Sequence, residues 1–146
     1  MNTVKIDLCG LPDELRSGLE KLCMHEGFRS GTDGIRLSAR RGGAFSAEFD
    51  GQTLRVEYCE PVQFFRALSY LKRADHRRFA LHRQPVFEHN GVMLDCSRNA
   101  VPRVEAVKMV LRKMALMGLN TLMLYTEDTY EVPEQPYFGY LRGRYS

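Results

Sequence analysis

The sequence predicts a small α+β N-terminal domain, two helices on an antiparallel sheet, followed by the first β-α-β of a TIM (β/α)8 barrel that the chain leaves incomplete. Three observations predict it. Four short runs before residue 60 alternate apolar and polar residues, the period of half-buried strands. Two stretches with Pro near their start carry apolar residues at helical spacing. From Gln84 onward the strand-like runs are continuously apolar, as in parallel sheets covered on both faces. A chain of 146 residues is about one domain's worth, and 44% hydrophobic and 27% charged residues with 12 Gly and 6 Pro exclude a disordered or collagen-like chain.

Thr3–Cys9 sets Val4, Ile6 and Leu8 on one side and reads as the first strand. Pro12 and Asp13 open the first helix, with Leu15, Leu19, Leu22 and Cys23 on its apolar face and Gly27 at its end. Ile35–Arg40, Ala44–Phe49 and Thr53–Tyr58 follow, separated by Arg41-Gly42-Gly43 and Asp50-Gly51-Gln52. Short Gly-containing turns suit hairpins, so these runs predict an antiparallel meander. Pro61 starts the second helix, whose face is Phe64, Phe65, Leu68 and Leu71, and which runs out in the charged stretch Lys72–Arg78. Residues 1–83 are therefore assigned to the small domain, with both helices on one face of its sheet.

Gly91–Asp95 reads as a buried strand. Pro102 then falls in the first turn of a helix with the stripe Val104, Val107, Leu111, Met114 and Ala115, ended by Gly118. Asn120–Tyr125 is a second buried-type strand, so 91–125 predicts a right-handed strand, crossover helix, strand unit. Two such strands need neighbours and cover on both faces, and the tail Glu131–Ser146 offers no helical or strand period. A barrel of ~250 residues would use this unit as its beginning. The expectation is that 84–146 starts a barrel and that the chain is the N-terminal part of a larger protein. The exposed edge over Leu122–Leu124 predicts self-association.

Composition bounds the partners. With 21 Lys plus Arg against 18 Asp plus Glu the net charge is +3, too even to predict nucleic-acid binding; Lys72–Arg78 reads as the solvated end of a helix, where cations suit the dipole. No apolar run approaches the ~20 residues of a membrane span, and Met1–Gly10 lacks the apolar stretch and cleavage site of a signal peptide. Cys9, Cys23, Cys59 and Cys96 form no C-x-x-C pair and read as reduced, mostly buried thiols of a cytoplasmic protein. His25, His76, His82 and His89 show no ligand spacing, so neither a metal nor a cofactor is expected.

In α/β barrels and open sheets, functional groups gather at the carboxyl ends of strands. Here those ends are Asp95-Cys96-Ser97-Arg98-Asn99 and Thr126-Glu127-Asp128-Thr129-Tyr130-Glu131. An arginine so placed offers five donors in a planar fork, suited to sugar hydroxyls or a carboxylate, and nearby carboxylates can grip hydroxyls, orient another residue or do acid–base work. The same spacing fits plainer roles. Asp95 and Arg98 can form a local salt bridge or cap the next helix, and Glu127 and Asp128 can be a solvated loop pair or a cap. Tyr130, Tyr137, Phe138, Tyr140 and Tyr145, interleaved with Arg142 and Arg144, fit stacking on sugar rings or bases, or a packed loop.

The ordered segments Gly91-Val92-Met93-Leu94-Asp95-Cys96-Ser97-Arg98-Asn99, Ala115-Leu116-Met117-Gly118-Leu119-Asn120, Leu124-Tyr125-Thr126-Glu127-Asp128-Thr129-Tyr130-Glu131 and Pro136–Tyr145 together resemble the family 20 glycoside hydrolases, the β-N-acetylhexosaminidases, in a bacterial subgroup. Residues 1–83 match that family's preceding small domain in layout only. The resemblance implies removal of terminal non-reducing β-linked N-acetylglucosamine or N-acetylgalactosamine by a retaining mechanism in which the sugar's acetamido oxygen replaces the enzyme nucleophile. It implies no cofactor. It places Arg98 on the hydroxyls at the far end of the terminal sugar, with Asp95 orienting it, and assigns Glu127 or Asp128 to the acidic network behind the catalytic acid. The family's catalytic Asp-Glu pair follows a fourth barrel strand, beyond residue 146, so the resemblance implies that this chain alone is inactive. The chain also departs from better-known members, which carry histidines on the second strand and an Asp-Asp-Gln-Gly-Trp type continuation, where this sequence has Met123, Leu124, Tyr125 and then Glu-Asp-Thr-Tyr. The alternative from another class is a non-catalytic carbohydrate-binding or interaction module.

Overall fold

The computed structural model describes residues 3–75 and 77–145. Met1, Asn2, His76 and Ser146 lie outside the described residues, and with them His76 of the Lys72–Arg78 stretch. The elements are β1 (Val4–Asp7), α1 (Asp13–His25), β2 (Phe28–Ser30), β3 (Ile35–Arg41), β4 (Phe45–Phe49), β5 (Thr53–Tyr58), α2 (Pro61–Ala74), β6 (Phe79–Arg83), β7 (Gly91–Asp95), α3 (Val104–Met117) and β8 (Thr121–Tyr125).

The first sheet has six strands in the order β2-β1-β3-β5-β4-β6 and is mixed. β1 pairs in parallel with β2 and β3, and β3 with β5; β4 is antiparallel to β5 and β6. The expected antiparallel meander is thus corrected. Alternation fixes which face of a strand is buried, and leaves open which strand lies beside it. The Arg41-Gly42-Gly43 connection makes no hairpin: Gly42 N–H donates to the Tyr58 carbonyl (2.9 Å), so the chain passes the end of β5 and β4 is laid on β5's far side. Asp50-Gly51-Gln52 is a true hairpin turn. One Asp50 carboxylate oxygen accepts from Gln52 N–H (2.9 Å) and Thr53 N–H (2.8 Å), and these backbone donors, with Arg55, hold the carboxyl well below its usual range. The sequence reading also missed β2 and β6, whose three and five residues are edge strands with little burial beyond Phe28.

One face of this sheet carries Leu37, Phe45, Ala47, Phe49, Leu54, Val56 and Tyr58, all buried, and it is covered by Leu15, Leu19 and Leu22 of α1 and Phe64, Ala67, Leu68 and Leu71 of α2. α2 begins with Pro61 in its first turn and a reciprocal cap between Glu60 and Gln63, which fixes its entry after β5. Tyr58 sits in the core and donates its hydroxyl to a Glu14 carboxylate oxygen (2.6 Å); burial, then that carboxylate, push its phenol up to about 12.

β7 and β8 form a separate parallel pair joined through α3, as the spacing predicted. α3 starts at Val104, so Pro102 precedes the helix where the sequence reading put it in the first turn; Gly118, at φ 77°, closes the helix with left-handed backbone. α3 rests on the first layer: Leu116 packs against its core, Lys113 and Arg112 reach the buried Glu26 carboxylate, and Arg66 donates to the Leu116 carbonyl (3.3 Å). β7 and β8 lie open, in line with the exposed edge expected over Leu122–Leu124. Met93, Met123 and Leu124 are 59%, 56% and 48% exposed, so runs with the composition of buried strands are uncovered in this chain. The thiols are free, but Cys96 alone is buried, with Cys23 and Cys59 half-buried and Cys9 exposed. No described helix is long and apolar enough to cross a membrane.

Candidate functional site

The site forms where β7 and β8 end together. Asp95 and Tyr125 are register partners, and Cys96 N–H donates to the Tyr125 carbonyl (2.7 Å), so the two following loops leave the pair side by side. The first loop folds on Asp95. One of its oxygens accepts from Ser97 N–H (2.8 Å) and the Ser97 hydroxyl (2.6 Å), and the other from Arg98 Nη1 (3.0 Å). Ser97, by hydroxyl and backbone, and then Arg98 hold the Asp95 carboxyl below its ordinary value, so near neutrality it is an acceptor and not a proton donor. The helix-cap reading of Asp95 does not hold: α3 has no side-chain cap, and its N-cap is Arg103.

The second loop turns sharply after β8. Thr129 N–H and hydroxyl both donate to the Thr126 carbonyl, and Glu127 adopts left-handed backbone at φ 49°. That turn brings Glu127 Oε1 to Arg98 Nη2 (2.9 Å) and to the Tyr125 hydroxyl (3.2 Å), whose own ionisation is raised by the carboxylate beside it. Arg98 is therefore held by two carboxylates, Asp95 first among them, which raise its guanidinium further. Two of its five N–H groups are so used, leaving three without a partner among the described residues on a side chain 64% exposed. The arrangement is a fixed donor fork at the carboxyl ends of two parallel strands, able to hold adjacent hydroxyls of a polyol or a carboxylate.

The structure separates Glu127 from Asp128. Asp95, Arg98 and Glu127 meet directly, whereas Asp128 reaches the group only through Arg142, whose Nε lies 2.9 Å from its carboxylate. Arg142 also donates through Nη2 to Glu127 Oε2 and through Nη1 to the Ser97 carbonyl (3.2 Å). The tail that carries it folds back on the strand ends: Tyr145 donates its hydroxyl to the Cys96 carbonyl (2.8 Å) and its N–H to Thr129 (2.7 Å), and Gly139, at φ 66°, packs so closely on the Asp128 carbonyl that a Cβ would overlap it. Of the tail aromatics, Tyr130 and Phe138 pack together (5.1 Å), while Tyr137 and Tyr140 remain exposed. Sequence reasoning missed Arg142 as a site residue because the tail has no period that would place it; its only signal was a cation in a Tyr- and Gly-rich segment after two acidic residues.

A cleft of about 420 Å³ opens at the opposite end of the strands, among Arg66 and Tyr70 of α2, Val86, Phe87 and Asn120, and does not contain the Arg98 group. Among the described residues no group of three or more His, Cys, Asp or Glu side chains is placed to hold a metal ion.

No protein-family model matches the sequence, and no curated protein matches it. Solved structures do. An exo β-N-acetylglucosaminidase of glycoside hydrolase family 20 from Vibrio harveyi, in complex with N-acetylglucosamine, superposes at TM-score 0.64 and 20% identity over 99% of this chain and 27% of that one. A β-N-acetylhexosaminidase from Bacteroides fragilis NCTC 9343 matches at TM-score 0.61 and 15% identity, over 100% of this chain and 36% of its own. A family 138 glycoside hydrolase targeting pectin rhamnogalacturonan II follows at 0.55 and 11%, over 92% and 26%. The chain thus has the fold of the N-terminal part of family 20 glycoside hydrolases and spans about a quarter to a third of the length of these structures.

Proposed function

We propose that this chain is the sugar-holding N-terminal part of a β-N-acetylhexosaminidase. In this reading residues 1–83 form a small supporting domain and 84–146 begin a (β/α)8 barrel, whose further strands cover β7 and β8. Arg98, braced by Asp95 and Glu127, holds hydroxyls of a terminal non-reducing β-linked N-acetylglucosamine or N-acetylgalactosamine, and Asp128 belongs to the supporting acidic network. The observation that carries the reading is the Arg98 fork, with three N–H donors left over at the carboxyl ends of two parallel strands. The shared fold with family 20 hydrolases supports it.

The reaction this predicts for the whole protein is retaining hydrolysis assisted by the substrate's own acetamido oxygen. That mechanism needs a proton donor at the leaving oxygen and a carboxylate on the acetamido group. The Asp95 carboxylate is held ionised and bonded, so it does not supply the proton. In this reading the proton donor and the carboxylate on the acetamido group both follow a fourth barrel strand, so the chain alone is expected to bind such sugars and to leave a chromogenic β-N-acetylglucosaminide intact; hydrolysis by the purified 146-residue chain would contradict the assignment. A cytoplasmic location is part of the same proposal, resting on unpaired cysteines. The second reading, a carbohydrate-binding module without catalysis, rests on the same fork. The encoding DNA distinguishes the two: a reading frame that continues past Ser146 to an Asp-Glu pair after a fourth strand-like run supports the hydrolase, and a stop codon there supports the module.

A further inference from the structure

Arg98 can serve a ligand only while its remaining N–H groups stay free, and the structure contains a residue that keeps them so. From the contacts around Glu127 we infer that Arg142 is a positioning residue, which holds Glu127 in a one-oxygen contact with Arg98 and thereby keeps the Arg98 fork open. This rests on the sugar-holding role proposed above for Arg98.

A carboxylate facing a guanidinium prefers to engage it with both oxygens in two parallel bonds. Glu127 does not. Its Oε1 takes Arg98 Nη2 and the Tyr125 hydroxyl, while Oε2 is turned away onto Arg142 Nη2. Arg142 is itself hydrogen-bonded at two points, to Glu127 and to the Ser97 carbonyl, which belongs to the same loop as Arg98, and its Nε forms an ion pair with the Asp128 carboxylate at 2.9 Å. Its charge also offsets two adjacent carboxylates that would otherwise repel each other across one turn. The backbone is built around this contact: Glu127 is held at positive φ, and the close approach of Gly139 to Asp128 sets the tail at the distance from which Arg142 reaches. Without Arg142 the free Oε2 rotates onto Arg98 and uses N–H groups otherwise left for hydroxyls. Lysine would keep the charge but, lacking the planar fork, could not hold the Glu127 carboxylate and the Ser97 carbonyl in the same geometry.

The test uses the full chain with N-acetylglucosamine as probe, following the arginine Nε–Hε signals by NMR. In Arg142→Met the Arg98 signal shifts in the unliganded protein, and affinity for the sugar falls about five- to tenfold, as for loss of a charge-assisted contact. Arg142→Lys lies between Arg142→Met and the parent chain in both readouts. Arg144→Met, which removes a tail guanidinium bonded only to the Phe138 carbonyl among the described residues, changes neither. If Arg142→Met disorders the tail, the lysine variant decides. An unmoved Arg98 signal in both Arg142 variants overturns the inference, as does a moved signal with unchanged affinity. Absence of sugar binding by the parent chain at up to roughly 100 mM, beyond ordinary millimolar affinity, overturns the proposed function instead, and the unliganded Arg98 signal still decides for or against Arg142 as the residue that places it.

Discussion

In the six-stranded layer, β3, β4 and β5 turn their apolar side chains onto α1 and α2, and Leu54, Phe64 and Leu68 are sealed from solvent; in β7 and β8, Met93 and Met123 keep more than half of their surface exposed. The β7 and β8 runs are the more apolar of the two, so apolar content does not explain why they are the more exposed. Cover does. A sheet gains from the hydrophobic effect only on faces that another layer closes, and within this chain the second sheet is closed little, with Met114 the one helix α3 residue that is buried. The group at its strand ends is held instead by ion pairs and hydrogen bonds among Asp95, Arg98, Glu127 and Arg142. The first region holds the buried core, and the second holds the charged group of the candidate site.

The sharpest way to break that contrast is to cut an apolar side chain in each region. Phe64→Ala should cost about 3–5 kcal/mol in urea unfolding, from lost transfer energy and the cavity left behind. Met123→Ala, on the exposed sheet, should cost less than about 1 kcal/mol. Equal costs would mean that β8 belongs to the same core. Next in size is the buried hydroxyl of the first layer: Tyr58→Phe removes its bond to Glu14 and should cost about 1–2 kcal/mol in the same assay.

The same phenol gives a pH test. Its folded value is raised to about 12, above the ~10 of an unfolded tyrosine, so the folded state keeps a proton that the unfolded chain gives up. The stability it contributes is complete below about pH 10 and is lost as pH rises toward about 12; Tyr58→Phe should flatten that loss in unfolding midpoints measured across the range. The smallest effect belongs to the second region. Ser97→Ala removes one of the two Ser97 bonds to Asp95, so the Asp95 carboxyl should move up toward its ordinary value in a carboxyl-carbon NMR titration with little change in unfolding. Because its folded value is depressed, what it contributes is present above the unfolded value and disappears as pH falls through the folded one.

Much of this contrast was legible in the sequence. Gly91–Asp95 was read to its exact ends and β8 to within a residue, because Gly91 and Gly118 punctuate long apolar patterns. α1 and α2 were read from Pro12, Pro61 and their leucine and phenylalanine stripes. Strand neighbours were not legible, because alternation carries no information on pairing order, and β2 and β6 are edge strands with little period of their own. That β7 and β8 lie open was legible, since their continuously apolar runs call for neighbouring strands and cover that the described residues of this chain do not supply, and Met93, Met123 and Leu124 are exposed. At the site, Asp95, Arg98, Glu127 and Asp128 could be proposed from strand ends and from the family resemblance, but the choice of Glu127 as the partner of Arg98, and the arrival of Arg142, depend on a left-handed turn and a folded-back tail that leave no spacing signal.

In the proposed function Arg98 is held open to receive sugar hydroxyls. Titration of N-acetylglucosamine into the parent chain and into Arg98→Ala tests it most directly, with unfolding midpoints measured alongside. The parent chain should bind saturably and the variant at least tenfold more weakly, as for loss of a charged donor, with midpoints that agree closely, since Arg98 is 64% exposed and outside the core. Equal affinity in the two proteins would contradict it.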